Sequence, residues 1–529
     1  MRTPFTTCFA LLLGLSFVAA CGGDEDDGST PVPACKQNAI CIGPGGGGGT
    51  GGSGAAGGDE GGAGGMGGAG GAGGLGGDGG AGGDGGAGGD GGAGGGASAD
   101  ILPQLQAIPG MTVVEERASE LPGYRWFVLR YEQPADHQDP AGQHFQQTLT
   151  LHHRDASAPL VLFTNGYGVD TSYEYLSEPT SLLDANELEV EHRFFGDSRP
   201  DPADWSHLTI EQAAADFHRI AEALHPLYQA PWISTGGSKG GMTVAYHRRF
   251  YPDDVQGTVA YVAPHSLGEA DPRYTPYINQ RGDAACRQSL LDLQREVLLR
   301  RPAMLAFVTD EADMAGETYD ILGMDQAFES AVIEFVFYFW QYFGEDHCAA
   351  IPAVTATDDE IWGFFSSVSA PLGWGDGSLT YFDPYYWQAA VQLGYPGYDE
   401  TNIADLLQYP GIDVAVSYVL PGKTPVFDPG SMPAVADWLA TEGERMMFVY
   451  GEDDPYTAAA FMLGGAQDSY LFTQPGGTHG AELSALPSAD QQTAFAALEA
   501  WTGVPASLST QALNLPRAPR MLHGRRVRH

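Results

Sequence analysis

Gly236-Gly237-Ser238-Lys239-Gly240-Gly241 decides how this chain folds. Ahead of it, Ala230-Pro231-Trp232-Ile233-Ser234-Thr235 forms a short apolar run of the kind a buried strand makes. Behind it, Met242-Thr243-Val244-Ala245-Tyr246-His247 carries neither Gly nor Pro and continues as a helix. A G-x-S-x-G at such a junction makes a turn so tight that Gly236 or Gly237, together with Gly240, must lack a side chain. The turn lifts Ser238 Oγ clear of the sheet, and the helix N-terminus beneath it offers N–H groups to a developing oxyanion.

Working outward, Arg125 to Glu132 and Gln146 to His153 alternate and read as an antiparallel pair. Leu160 to Thr164 is a continuous apolar run that Asn165-Gly166-Tyr167-Gly168 stops, and Glu189 to Phe194 is a second expected strand. Thr209 to Tyr228 is an expected helix with Thr209 and Gln212 as a capping box. Gly257 to Ala263, Arg445 to Tyr450 and Ser469 to Phe472 complete the strands, and Ala489 to Trp501 is a last helix. Between them, 266–442 carries aromatic helical patterns such as Phe335-Val336-Phe337-Tyr338-Phe339-Trp340 and Tyr385-Tyr386-Trp387. Strands separated by helices imply a mainly parallel sheet. The expected class is α/β: an α/β-hydrolase whose core, 100–265 and 443–505, is interrupted by a helical lid.

In this architecture the acid and the histidine follow the nucleophile, on loops after later strands. Gly451-Glu452-Asp453-Asp454-Pro455 offers three carboxylates, of which Asp454 is chosen because the Asp-Pro step fixes a turn; Asp453 is the reserve. His479 is the histidine between that acid and the last helix, with glycines beside it. Ser238 would attack a carbonyl, His479 would carry the proton, and Asp454 would hold the imidazole. The backbone N–H groups of Lys239 and Tyr167 are the expected oxyanion donors. His192, His247 and His265 are assigned to packing and capping. The spacing Ser-x-x-Lys is absent, so Lys239 is given a structural or electrostatic role.

The ends of the chain speak to location. Arg2 followed by the apolar Phe9 to Val18 reads as an export signal over 1–20, too short to span a bilayer. Val18-Ala19-Ala20-Cys21 resembles the lipobox of bacterial lipoproteins, which implies a lipid on Cys21 and an outer-membrane or cell-surface location; an ordinary cleaved signal is the alternative. Residues 21–99 are acidic and then built of Gly-Gly-Ala-Gly-Gly-Asp units, a composition that buries no apolar surface and serves as a tether. About 55 such residues span roughly 40 Å. The five arginines in the tail, 506–529, read as solvated.

A formal charge of −42 argues against nucleic acid and anionic lipid headgroups as main partners; it reads first as solubility outside the cell and second as a preference for cationic or free-amine substrates. Of six cysteines, Cys8 leaves with the signal and Cys21 takes the lipid. Cys35 with Cys41, and Cys286 with Cys348, then fit an oxidising compartment as pairs. Neither pair has metal-ligand spacing with histidines, so no metal is expected.

Gln133-Pro134-Ala135-Asp136-His137, Glu191-His192-Arg193-Phe194-Phe195-Gly196-Asp197-Ser198, Leu208-Thr209 with Ala213 to Asp216, and Gly237-Ser238-Lys239-Gly240-Gly241 occur in that order. Together they resemble the secreted bacterial prolyl tri- and tetrapeptidyl aminopeptidases, distant relatives of the lysosomal prolyl carboxypeptidases. The resemblance covers Ile101 to Trp501. It implies serine peptidase chemistry on peptide substrates with a free N-terminus, often after proline, and no metal or organic cofactor. An exopeptidase of this kind must recognise an ammonium group. Glu191 is a candidate for that, and pairing with Arg193 or Arg199 is its other reading. The lid aromatics shape a proline-sized pocket or form lid core. The rival functions are a carboxylesterase or lipase on the same fold, and a surface-binding lipoprotein that has kept a relic hydrolase domain.

Overall fold

The computed structural model describes residues 100–508, together with the backbone of 520–522 and 525–527. The signal, the tether, Cys21, Cys35 and Cys41 lie outside the described residues. The main sheet has nine strands: β1 (Met111–Arg117), β2 (Arg125–Pro134), β3 (His144–His153), β4 (Leu160–Phe163), β5 (Asn186–Val190), β6 (Trp232–Gly237), β7 (Gly257–Tyr261), β8 (Met446–Gly451) and β9 (Tyr470–Gln474). Their order is β1-β2-β3-β5-β4-β6-β7-β8-β9. The pairs from β1 through β3 to β5 are antiparallel, and every pair from β5 through β4 to β9 is parallel. This is the α/β-hydrolase arrangement the elbow implied.

The chain leaves β4 for β5 on one side and then returns to β6 on the other. That reversal opens a crevice at the carboxyl ends of β4 and β6, where ligands bind in open α/β sheets. The fully buried Leu160, Leu162, Leu188 and Trp232 pack on one face of the sheet against Phe217, Ile220 and Leu224 of the helix Ile210–Leu224. On the opposite face Val161, Ile233, Val259 and Val449 meet Ala494, Leu498 and Trp501 of the helix Ser488–Thr502. Burial on both faces makes β4 and β8 continuous apolar runs, whereas β5 alternates as Asn186-Glu187-Leu188-Glu189-Val190 and β6 passes from apolar to small residues at Ser234.

Three expectations need correcting. β5 begins at Asn186 and ends at Val190, so Glu191 to Phe194 leave the sheet. The His192 N–H turns to the Tyr167 carbonyl, and Phe194 takes a φ of 72°, which no strand accommodates. The helix expected to reach Tyr228 stops at Leu224: Pro226 has no N–H to give the Glu222 carbonyl and its ring crowds that group, so the ladder breaks although His225 keeps helical backbone. Its capping box is only half formed. Thr209 Oγ1 accepts from the Gln212 N–H at 3.2 Å, but the Gln212 amide instead binds Asp136 and the His137 N–H.

Most of 266–442 forms a helical unit with its own core, in which Leu290, Leu293, Phe328, Phe335 and Phe365 are fully buried. Cys286 and Cys348 are joined by a disulfide there. The segment's last helix, Ser431–Glu442, does not share that core. Its Met432, Val435 and Leu439 pack with Met242, Val244 and Phe448 of the hydrolase body, so the lid ends before it. In the tail, 520–522 pairs antiparallel with 525–527.

Candidate active site

Ser238 sits between β6 and the helix Lys239–Phe250 with φ 54° and ψ −121°, a conformation a serine adopts only when its surroundings impose it. The surroundings are backbone. A Cβ on Gly240 would lie 2.2 Å from the Thr164 carbonyl oxygen, and one on Gly236 would lie 2.5 Å from the same atom. Gly237 has nothing within 4 Å of that position, so Gly236 and Gly240 are the two that the turn requires.

His479 follows β9 and Asp454 follows β8. His479 Nδ1 is 2.7 Å from Asp454 Oδ2, and Asp454 Oδ1 accepts the Tyr456 N–H at 3.1 Å. Asp454 is completely buried. Asp453, the reserve, points elsewhere and accepts the Glu345 N–H at 3.2 Å. The lid holds the histidine loop from above. The His479 N–H donates to the Gln341 carbonyl at 2.8 Å, and the Tyr342 ring stands edge-on to the imidazole at 5.9 Å.

Ser238 and His479 line one cavity of about 260 Å³. Asn165, Tyr167 and Lys239 form the wall beside the elbow, and lid residues including Tyr338, Tyr342, Trp374, Phe382 and Tyr385 form its roof. Thus the lid aromatics do face the reaction centre. As the first residue of its helix, Lys239 has no carbonyl four residues back to receive its N–H, which leaves that group for an oxyanion. The other expected donor is engaged: the Tyr167 N–H donates to Asn165 Oδ1 at 2.7 Å, a turn in which asparagine caps its own loop.

The Lys239 side chain has a structural task. Its Nζ donates to the Gly166 carbonyl at 2.6 Å and lies against the Tyr167 and Phe195 rings. Burial holds the ammonium well below its ordinary pKa. The bond ties the elbow to the loop after β4. The sequence motifs beside it act as braces. Arg193 pairs with the buried Asp216, which also meets His137, while Gln133 bonds Gln147. His192 contacts Tyr246, His247 binds Asp254, and His265 stacks on Phe461 with its pKa pushed down to about 4 by burial.

Glu191 does not line the cavity. Its two carboxylate oxygens accept the Val169 N–H at 3.0 Å and Ser198 Oγ at 2.5 Å, which consumes the charge in fastening the 167–198 loops. Arg193 and Arg199 are not its partners either: the first goes to Asp216 and the second to the Phe194 carbonyl. The acid that does line the cavity is Glu334, on the lid helix Met324–Tyr342 and 2% exposed. Tyr338, Asp413, Tyr398 and Tyr395 surround it, and burial raises its carboxyl to about 7. Asp413, 5% exposed, is raised well above the usual range by burial and by the Glu334 charge. Among the described residues, Lys239 is the one Lys or Arg on the cavity wall. Sequence reasoning missed Glu334, although an acid inside the apolar run 330–340 was a visible signal.

A buried Asp–His pair facing a serine on a nucleophile elbow defines a serine hydrolase of the α/β-hydrolase fold. The chain belongs to the PS-10 peptidase S37 family, whose model matches residues 95–525, and it is a serine peptidase. It is 43% identical over 411 residues to the prolyl tri/tetrapeptidyl aminopeptidase of Streptomyces mobaraensis, covering 77% of this chain and 86% of that one. The lysosomal Pro-X carboxypeptidase of Mus musculus is 31% identical over 159 residues, 26% of this chain and 32% of the relative. Among solved structures, the proline iminopeptidase of Mycobacterium smegmatis aligns with 73% of this chain and 99% of its own, at 14% identity and a TM-score of 0.31.

Proposed function

We propose that this serine peptidase releases tri- and tetrapeptides, cut after proline, from the free N-termini of longer peptides. The observation that carries the reading is Glu334, a buried carboxylate on the wall of the cavity that holds Ser238 and His479. A buried acid among tyrosines, with no Lys or Arg paired to it among the described residues, suits a substrate ammonium. A cavity of about 260 Å³ restricts the acyl side to a few residues, and aromatic walls suit a proline ring. The similarity to the Streptomyces aminopeptidase supports the same substrate class.

In this reading Ser238 Oγ attacks the carbonyl carbon of the scissile bond while His479 Nε2 takes the hydroxyl proton. Asp454 keeps Nδ1 protonated and stabilises the imidazolium. The Lys239 N–H receives the oxyanion. His479 then protonates the leaving nitrogen, the C–N bond breaks, and an acyl-enzyme remains. Water deprotonated by His479 releases the short peptide and restores Ser238. Incubating the protein with Ala-Ala-Pro-Ala-Phe-Ala and weighing the products tests the assignment. Intact Ala-Ala-Pro and Ala-Phe-Ala are expected; Ala-Ala or single residues as first products would refute it.

The location belongs to the same proposal. An exported chain carrying a lipid on Cys21 would be held at the outer membrane or cell surface, with 22–99 as the spacer that sets the catalytic domain off the bilayer.

A further inference from the structure

A second cavity, of about 190 Å³, adjoins the first across the catalytic histidine, and Phe163, Gly237 and His479 line both. Besides Thr235 and Gly236 of β6 and Leu508, its wall is made by residues of Leu176 to Leu182, Tyr261, and the stretch from Gly480 to Ser484, none of which reaches the first cavity. The two cavities differ in what each can do for a scissile bond. Lys239, whose N–H is the oxyanion donor, lines only the first, as do Asn165 and Tyr167. During acyl transfer the carbonyl oxygen lies against the oxyanion donors and the leaving nitrogen against the histidine that protonates it. The acyl chain therefore occupies the first cavity. The departing chain starts at His479 and heads into the second.

The chemistry of that wall is specific. Its charged side chains are the carboxylates of Glu178 and Glu482, and among the described residues no Lys or Arg lines it. Glu178 accepts Tyr261 Oη, the Leu483 N–H and the Ser484 N–H, each at 2.8 Å. It thereby fixes the wall in place. Burial first, and the Glu482 charge second, push its carboxyl up. Glu482 is half-buried, its backbone N–H anchored by Gln474 Oε1 at 3.1 Å. Phe163, Leu176 and Leu182 supply apolar surface on which the methylene stem of a long side chain can lie.

We propose that this second cavity is the subsite for the first residue of the departing peptide, and that Glu482 makes it prefer a basic side chain there. The proposal rests on the aminopeptidase reading, which supplies the peptide whose remainder must leave. A lysine or arginine at that position brings a charge to a wall that carries two acids. For a half-exposed pair the gain is about fivefold in kcat/KM, and salt screens it.

The test compares Ala-Ala-Pro-Lys-Ala-amide with Ala-Ala-Pro-Glu-Ala-amide, using Ala-Ala-Pro p-nitroanilide, whose uncharged aryl leaving group brings no charge to the second cavity, to check the underlying activity. The parent protein should favour the lysine peptide about fivefold in kcat/KM, and less in 0.5 M salt (about a 4 Å Debye length). Glu482→Gln should bring the ratio close to one and Glu482→Lys should invert it. Each ratio is read within one preparation, so a partly unfolded variant does not imitate the effect. A parent ratio of one or below, or the same ratio in Glu482→Lys, would overturn the subsite assignment while leaving p-nitroanilide hydrolysis intact. Failure of the parent to hydrolyse the p-nitroanilide would remove the aminopeptidase reading, and this proposal with it.

Discussion

His479 Nδ1 stands 2.7 Å from Asp454 Oδ2, whereas the adjacent Asp453 turns to the Glu345 N–H on the lid. Two consecutive acids thus have separate tasks, one orienting the imidazole and the other fastening the lid. Asp454→Asn should lower kcat by about four orders of magnitude, as loss of the orienting acid does in Ser-His-Asp enzymes. Asp453→Asn should keep kcat within about tenfold of the parent. Steady-state kinetics on a chromogenic peptide reads both, and equal losses would contradict the assignment.

Glu334 should act on substrate binding and Glu191 should not. Glu334→Gln is expected to raise KM for a free-amine peptide by about a hundredfold, the loss of a buried charge partner. Glu191→Gln should leave KM within about threefold, because its oxygens serve Val169 and Ser198. An unchanged KM in the first variant would refute the anchor.

The raised carboxyl of Glu334 also sets a pH window. Its pKa of about 7 means that below this pH the group is protonated and has no charge to offer an ammonium. Above about 8 the peptide's own α-amino group loses its proton. KM for a free-amine peptide should therefore be lowest between these limits and rise on both sides. In Glu334→Gln the acidic limb should vanish. Persistence of that limb would assign it to another group.

The elbow glycines should differ in stability. Gly240→Ala places a Cβ 2.2 Å from the Thr164 oxygen and should cost more than about 3 kcal/mol. Gly237→Ala meets nothing within 4 Å and should melt within about 2 °C of the parent. Thermal unfolding of the two proteins checks this, and similar melting temperatures would contradict the steric account.

For the proposed anchor, cells fed a labelled fatty acid should incorporate it into the parent chain and not into Cys21→Ser. Labelling of both would place the lipid elsewhere, and labelling of neither would remove the lipid anchor.

β4 and β8 were legible because burial on both faces makes each an unbroken apolar run, and β6 because Trp232-Ile233 leads into the elbow glycines. β1 was not, since its Glu115-Glu116-Arg117 end is an exposed sheet edge and its register shifts between Val113 and Glu115. Ser238, Asp454 and His479 could be found because each follows a strand in the order this fold demands. Glu334 could not be placed the same way. Its buried setting comes from tertiary neighbours, among them Asp413, Tyr395 and Tyr398, which lie 60 or more residues along the chain and have no motif spacing to it. Glu191 stayed open between two roles because a buried acid near the site looks the same in sequence whether its oxygens serve a loop or a ligand.

The most direct measurement compares release of p-nitroaniline from Ala-Ala-Pro p-nitroanilide with a free and with an acetylated N-terminus, in the parent and in Ser238→Ala. The account predicts hydrolysis of the free form alone, abolished in the variant. Equal hydrolysis of both forms by the parent, or hydrolysis that survives Ser238→Ala, would contradict it.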